Sequence, residues 1–254
     1  MSAKGACARI VGMSACVMLL MPIIIKGEGR AQSAPDYAAI LAAPDRSDAD
    51  READKRRDPR PFLEFAGVRP GMKVLDMGAG GGYSTELIAR AVAPGGKVYA
   101  QNPPDLPDKP KAAFEARLNT PAAGNVVPDI RPFDDPLPPD VRDFDLITFL
   151  FFYHDTTYMK VDRAVMNRKL LAALKPGGFL IVADHSALSG QGISVSKTLH
   201  RMEEATLRQE LEAAGFHVAA EGNFWRNPED PHDFPSYRPT VPVDNFVLKF
   251  QKPM

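Results

Sequence analysis

Residues 74–90 read VLDMGAGGGYSTELIAR, and this stretch decides the fold. Lys73–Met77 is a compact apolar run of strand length. Gly78, Gly80, Gly81 and Gly82 then break it, and Tyr83, Leu87 and Ala91 recur four apart, as on one face of a helix. A strand that runs through bare glycines into a helix is a turn built for close approach of a ligand to backbone, with the helix N-terminus behind it. A dinucleotide-binding G-x-G-x-x-G turn would place its third glycine where Tyr83 stands.

Outward from this turn, short apolar runs alternate with helical periods. Gly96–Gln101 is a second strand, and a weak third lies near Val126–Arg131. Phe144–Phe152 is almost wholly apolar, as a parallel strand covered on both faces should be. Met159, Met166, Leu170 and Leu174 mark a helical face that Leu174–Gly178 ends, and Phe179–Ala183 is a fifth strand. Leu207, Leu211 and Ala214 mark a further helix. The final run alternates Phe246, Leu248 and Phe250 with Val247 and Lys249, an antiparallel pattern. Alternation of this kind predicts a doubly wound α/β sheet with helices on both faces. Ten of the 24 prolines fall between Pro103 and Pro139 and five between Pro228 and Pro242. They mark two long connections, because proline neither continues a helix nor donates to a central strand.

The spacing D-x-G-x-G-x-G resembles the first motif of the class I S-adenosylmethionine-dependent methyltransferases. GVRPGMKVLDMG, APGGKVYA and LKPGGFLIVADHS stand in that family's order over about residues 66–250. YHD after the fourth strand, DHS after the fifth and TLHR beyond them are similar to a branch of predicted methyltransferases with export signals. The resemblance implies a Rossmann-like, mostly parallel seven-stranded sheet with an antiparallel last strand, and S-adenosylmethionine as cofactor. It places Asp76, Gly78, Gly80, Gly82 and Tyr83 at that cofactor. Gln101 or Asn102 would face the ribose where relatives carry an acid, with Asp105 as a substitute.

Tyr153-His154-Asp155 and Asp184-His185 fall at the C-terminal ends of strands four and five. His200 follows a Gly/Ser loop, Ser189–Ser196, leaving the same edge. Ligands bind outside those ends in open α/β sheets, so His154, His185 and His200 should border one crevice, and His217 and His232 should not. Neutral imidazole suits proton removal from a methyl acceptor, with Asp155 or Asp184 orienting the ring. His154, Asp155, His185 and His200 are therefore the catalytic candidates; acid–base work is preferred, a site for a borderline divalent metal on these His and Asp residues is the second reading, and no metal is assigned. A polar network pinning strand ends is the alternative. Trp225–Val243 reads either as a lid or as a surface loop capping the sheet.

Residues 1–33 read as a signal peptide. Lys4 and Arg9 precede an uncharged apolar run, Ile10–Ile25, and Ala31-Gln32-Ser33 fits a small-x-small cleavage site. The run is shorter than the ~20 residues that span a bilayer and contains Pro22, so cleavage is expected and no membrane insertion after it; an uncleaved anchor is the alternative. The leader holds four basic residues, one acid and both cysteines. A mature chain from Ala34 has 27 basic and 31 acidic residues, net −4, and no thiol. That excludes disulfides and cysteine nucleophiles, disfavours a nucleic-acid partner, and suits a periplasmic or secreted enzyme acting on a small-molecule acceptor. Residues 34–66 read as a charged N-terminal helical extension and 67–254 as the α/β domain. Within the extension, Asp45–Asp58 (DRSDADREADKRRD) is expected to be a solvated helix face, and Pro61 to open a short helix over Phe62–Ala66. An exported ligand- or metal-binding protein on this fold, without methyl transfer, is the second functional reading.

Overall fold

The computed structural model describes residues 33–254, with residues 1, 2 and 5. The leader and both cysteines otherwise lie outside the described residues. Among those described, no helix is long and apolar enough to cross a membrane. Gln32–Met254 forms a single compact unit, so the extension and the α/β part share one body.

Three helices lead in: α1 (Tyr37–Leu41), α2 (Asp48–Arg57) and α3 (Pro59–Ala66). Then follow β1 (Lys73–Met77), α4 (Tyr83–Val92), β2 (Lys97–Asn102), α5 (Asp108–Leu118), β3 (Val126–Ile130) and β4 (Phe144–Leu150). The chain continues through α6 (Arg163–Ala173), β5 (Leu174–His185), α7 (Ser196–Leu199), α8 (Glu204–Ala213), β6 (His217–Gly222) and β7 (Asn245–Gln251). The sheet has seven strands in the order β3-β2-β1-β4-β5-β7-β6. Strands β1 to β5 pair in parallel, and β7 runs antiparallel to both β5 and β6. Pro128 sits in the edge strand β3, where a missing N–H is tolerated.

Strand alternation fills two cores. Leu75, Met77, Phe149, Leu180, Val182 and Phe250 point to one face under α6 and α8. Val74, Leu146, Ile181, Ala183 and Val247 point to the other, under α3 and α4. Because β1 lies between β2 and β4, the strand order reverses beside β1. The chain leaving β1, β2, β4 and β5 therefore emerges along one edge.

Three boundaries differ from the sequence reading, and so does part of the charged run. The helix after β4 begins at Arg163, with the Asp162 carboxylate accepting from Val165 N, so Met159 lies before it. Leu174 opens β5 instead of closing the helix, because it pairs with Phe144 ahead of a register shift. Helix α3 starts at Pro59, two residues before the expected Pro61. The charged run is a solvated face only in part: Asp45, Asp48, Glu52, Lys55 and Arg56 are exposed, with Lys55 paired to Glu52 three residues away. Arg46 and Asp50 are buried, Arg46 is paired with Asp54, and Asp50 receives both guanidinium nitrogens of Arg117 at 2.9 Å. Arg117 also pairs with Glu86 of α4, so the run clamps the extension to α4 and α5.

Candidate functional site

The glycine turn is backed by a buried carboxylate. Asp76 Oδ1 accepts from Thr148 Oγ1 at 2.7 Å, and Oδ2 from Thr85 Oγ1 at 2.6 Å and Ser84 Oγ at 3.4 Å. Burial pushes its pKa up, and the three hydroxyls oppose that shift. Asp76 thus ties β1, β4 and the first turn of α4 together beneath the loop.

Gly78, Gly80 and Gly82 all have left-handed φ, of 62°, 56° and 80°. Their surroundings differ. A Cβ on Gly82 would meet Arg117 Cδ at 2.9 Å and Phe114 Cδ2 at 3.0 Å, and one on Gly78 would meet Phe152 Cβ at 3.3 Å. A Cβ on Gly80 would meet nothing closer than the loop's own Gly78 O at 4.0 Å. Gly82 is therefore a packing glycine, and Gly80 is bare backbone facing open space.

The β2 amides sit otherwise than expected. Gln101 and Asn102 are fully buried. Gln101 Oε1 accepts from Gly78 N at 3.0 Å, and its Nε2 donates to Arg131 O at 2.6 Å. Asn102 grips Gly80 from both sides, with Oδ1 accepting from N at 2.8 Å and Nδ2 donating to O at 3.1 Å. Both hold the turn from below, and in this conformation neither faces a ribose. Asp105 is exposed beyond the strand end. Tyr83 turns away as well. Its hydroxyl donates to Asp54 Oδ1 at 2.5 Å, its ring lies under the Arg57 guanidinium, and burial raises its pKa.

His154, His185 and His200 do converge. Asp184, fully buried, accepts at Oδ1 from His154 Nδ1 at 2.7 Å and from His185 N at 2.8 Å, and at Oδ2 from His154 N at 2.7 Å. Burial would raise the Asp184 pKa, but the His154 charge and these hydrogen bonds hold it below the usual carboxylate range. His154 is buried, which disfavours its cation, yet Asp184 and then Asp155 carry its pKa upward. His154 Nε2 meets His200 Nδ1 at 3.2 Å, and the Tyr158 hydroxyl donates to Asp155. Burial, opposed by Asp155 and reinforced by the neighbouring His154, pushes the His200 pKa down. His185 is held differently. Its Nδ1 donates to Asn245 Oδ1 at 2.6 Å, its ring stacks on Phe151, and burial pushes its pKa down to about 4.

Phe152 joins the two halves of the site, touching Gly78 two residues before His154. His217 is exposed at the start of β6, on the opposite sheet edge, and His232 approaches Asp244 instead. The β6–β7 connection is pinned at several points. The Arg201 guanidinium, fully buried, pairs with Asp230 at 2.8 Å, Trp225 Nε1 donates to Asp58 O, and Ser236 N donates to Leu199 O. These ties were invisible to sequence reasoning, since Trp225 and Asp58 are 167 residues apart.

This strand order, with a reversed β7 and a glycine turn after β1, is the class I S-adenosylmethionine-dependent methyltransferase fold. The protein-L-isoaspartate(D-aspartate) O-methyltransferase family matches residues 60–115. The chain is 35% identical over 125 residues to a ubiquinone/menaquinone biosynthesis C-methyltransferase, UbiE, of Ectopseudomonas mendocina, covering 49% of this chain and 46% of that protein. It thus spans about half the length of the curated relatives it matches. A SAM-dependent methyltransferase structure from Aquifex aeolicus superposes with a TM-score of 0.58 at 19% identity, covering 86% of this chain and 99% of that one. The (4+2)-cyclase SpnF superposes with a TM-score of 0.56 at 16% identity, over 81% and 82% of the two chains. The glycine backbone fits the methyltransferase cofactor, because Gly80 leaves room for a ligand against its main chain. The β2 end offers buried amides where a free carboxylate is usual.

Proposed function

We propose that the chain binds S-adenosylmethionine against Gly78–Gly81 and transfers its methyl group to a small-molecule acceptor in the crevice below His200. The observation that carries this reading is the open, left-handed Gly80 beside a histidine-lined strand edge. Bound there, the cofactor supplies an electrophilic methyl group on a sulfonium. The chain's own part is alignment and proton removal. Phe152 walls the crevice beside Gly78. His200 Nε2 takes the acceptor's proton, and His200 Nδ1–H passes a proton to His154 Nε2. Asp184, receiving His154 Nδ1–H, stabilises the imidazolium that results. The raised pKa of His154 and the lowered one of His200 favour transfer in that direction.

Substitution of Gly80 tests this. Gly80→Ala adds a methyl into open space and costs ~1–2 kcal/mol for a left-handed alanine, so the fold should persist. Calorimetric titration with S-adenosylmethionine and its demethylated product should give heat for the wild type and little for Gly80→Ala. Absence of heat in the folded wild type refutes the reading. A second reading, ligand binding on this fold without methyl transfer, is favoured by the burial of Gln101 and Asn102, which leaves the ribose without a charged acceptor. We also infer export to the periplasm or beyond from residues 1–33, and N-terminal sequencing of the cell-extracted protein should then begin at Ala34.

A further inference from the structure

We propose that His154, Asp155 and His200 form a three-ligand site for a divalent metal ion of borderline softness, of the zinc class. Among the described residues they are the one grouping of three such side chains whose donor atoms converge. His154 Nε2 and His200 Nδ1 are 3.2 Å apart, and the Asp155 carboxylate spans them, with Oδ2 3.4 Å from His154 Nε2 and Oδ1 3.3 Å from His200 Nδ1. A tetrahedral zinc ion with bonds of ~2.0–2.1 Å holds its ligands ~3.3–3.4 Å apart. The nitrogen–nitrogen separation and both nitrogen–oxygen separations are close to that spacing, whereas among them only the histidine–histidine contact is a hydrogen bond. A carboxylate set across the edge between two imidazole nitrogens is accounted for by a cation between them, not by a single proton on the histidine–histidine contact.

The surroundings suit a metal. His154 Nδ1–H donates to the buried Asp184, which fixes the tautomer and leaves the Nε2 lone pair for an ion. Asp184 is in turn held by two backbone N–H groups. With both imidazoles neutral, Asp155 and Asp184 balance the charge of a divalent ion. His200 has the αL backbone that a non-glycine residue adopts only when its surroundings enforce it, with φ 49°. Its side chain is about a third exposed, and the rings of Tyr237 and Tyr158 stand 4.9 Å and 5.9 Å from its own. The His200 side of the site therefore opens to solvent, as in zinc sites that keep a place for water or an oxygen-bearing ligand. The ion would replace the proton shared by His154 and His200, so the metal-loaded and proton-relay forms exclude one another. The inference does not rest on methyl transfer.

The test is calorimetric titration of the purified, chelator-treated protein with zinc(II) at pH 7.5, with metal content measured after dialysis. One ion per chain and a raised thermal midpoint are expected. His200→Asn, in which asparagine keeps the αL backbone, and Asp155→Asn should each weaken binding more than tenfold. Asp184→Asn should weaken it about 10–100-fold through its action on His154. His217→Asn, on the opposite sheet edge, should leave it unchanged. Circular dichroism confirms that each variant is folded. Absence of stoichiometric binding by the wild type, or equal affinity in His200→Asn and Asp155→Asn, overturns the site. Zinc failure with S-adenosylmethionine binding intact overturns the metal alone, and the converse overturns the methyltransferase reading alone.

Discussion

Acidification between pH 6.5 and 4 should destabilise this protein through His185. The ring lies against Phe151, 5.1 Å between centroids, and its Nδ1–H is committed to Asn245 Oδ1. Asn245 Nδ2 is spent on Val243 O, which fixes the direction of that bond. Burial, opposed by Asp184 and Asn245, depresses the pKa from 6.5 to about 4. A histidine with a depressed folded pKa binds its proton more readily when unfolded, so stability is fully present above 6.5 and is lost as pH falls toward 4. At 1.36 kcal/mol per pKa unit, the loss across that window is about 3 kcal/mol. His154, with a raised pKa, is protonated in both states below 6.5 and contributes a constant there. Asp50, Asp54, Asp184, Asp230 and Asp244 have lowered pKa values, and their contributions disappear only at lower pH. His200 acts with the same sign as His185, less strongly because it is a third exposed. Urea unfolding at pH 7, 6, 5 and 4.5 should show a fall of about 2–3 kcal/mol for the wild type. His185→Asn, which keeps a donor for Asn245, should show less than half of it. Parallel pH profiles for the two proteins, or a His185 NMR titration with its midpoint near 6.5, would refute the reasoning.

Asn102→Ala should cost about 1–3 kcal/mol, because it strips both hydrogen bonds from Gly80, and Asn102→Asp should cost more, since it sets a fully buried carboxylate oxygen against Gly80 O; scanning calorimetry checks both. Asp230→Ala leaves the fully buried Arg201 guanidinium unpaired and should cost about 3–5 kcal/mol in urea unfolding, with a loss below about 1 kcal/mol contradicting the pairing. If methyl transfer runs through the histidine relay, kcat/KM should rise with pH as His154 loses its proton, with a midpoint above 6.5; a flat profile from pH 6 to 9 counts against the relay.

The sheet was readable because strand and helix periods are local. The run from Val74 to Arg90 carries its own apolar spacing and its own turn residues, and the four glycines announce a bend whatever surrounds them. The strand ends could also be placed, so the convergence of His154, His185 and His200 on one edge followed from sheet geometry without any side-chain detail. The buried part of the charged run 45–58, Arg46 and Asp50, was missed because its neutralising partners are distant. Arg117 is 67 residues from Asp50, and nothing in a mixed-sign helix tells whether its charges meet water or a guanidinium. Leu174 was likewise assigned to a helix face, since an apolar residue at the right spacing fits either element until its pairing with Phe144 is seen.

By itself, then, the sequence determined the order of elements, the glycine turn after β1 and the edge at which chemistry-bearing side chains emerge. Those depend on periodicity and backbone freedom, which are properties of short segments. The tertiary structure alone decided what each polar group does there. It turned Gln101 and Asn102 into clamps beneath the glycines, turned Tyr83 toward Asp54, and left Gly80 open while packing Gly82 shut. It also brought donor atoms of His154, Asp155 and His200 within 4.8 Å of one another. Side-chain direction, burial and charge balance are set by neighbours tens of residues away, and no local pattern encodes them.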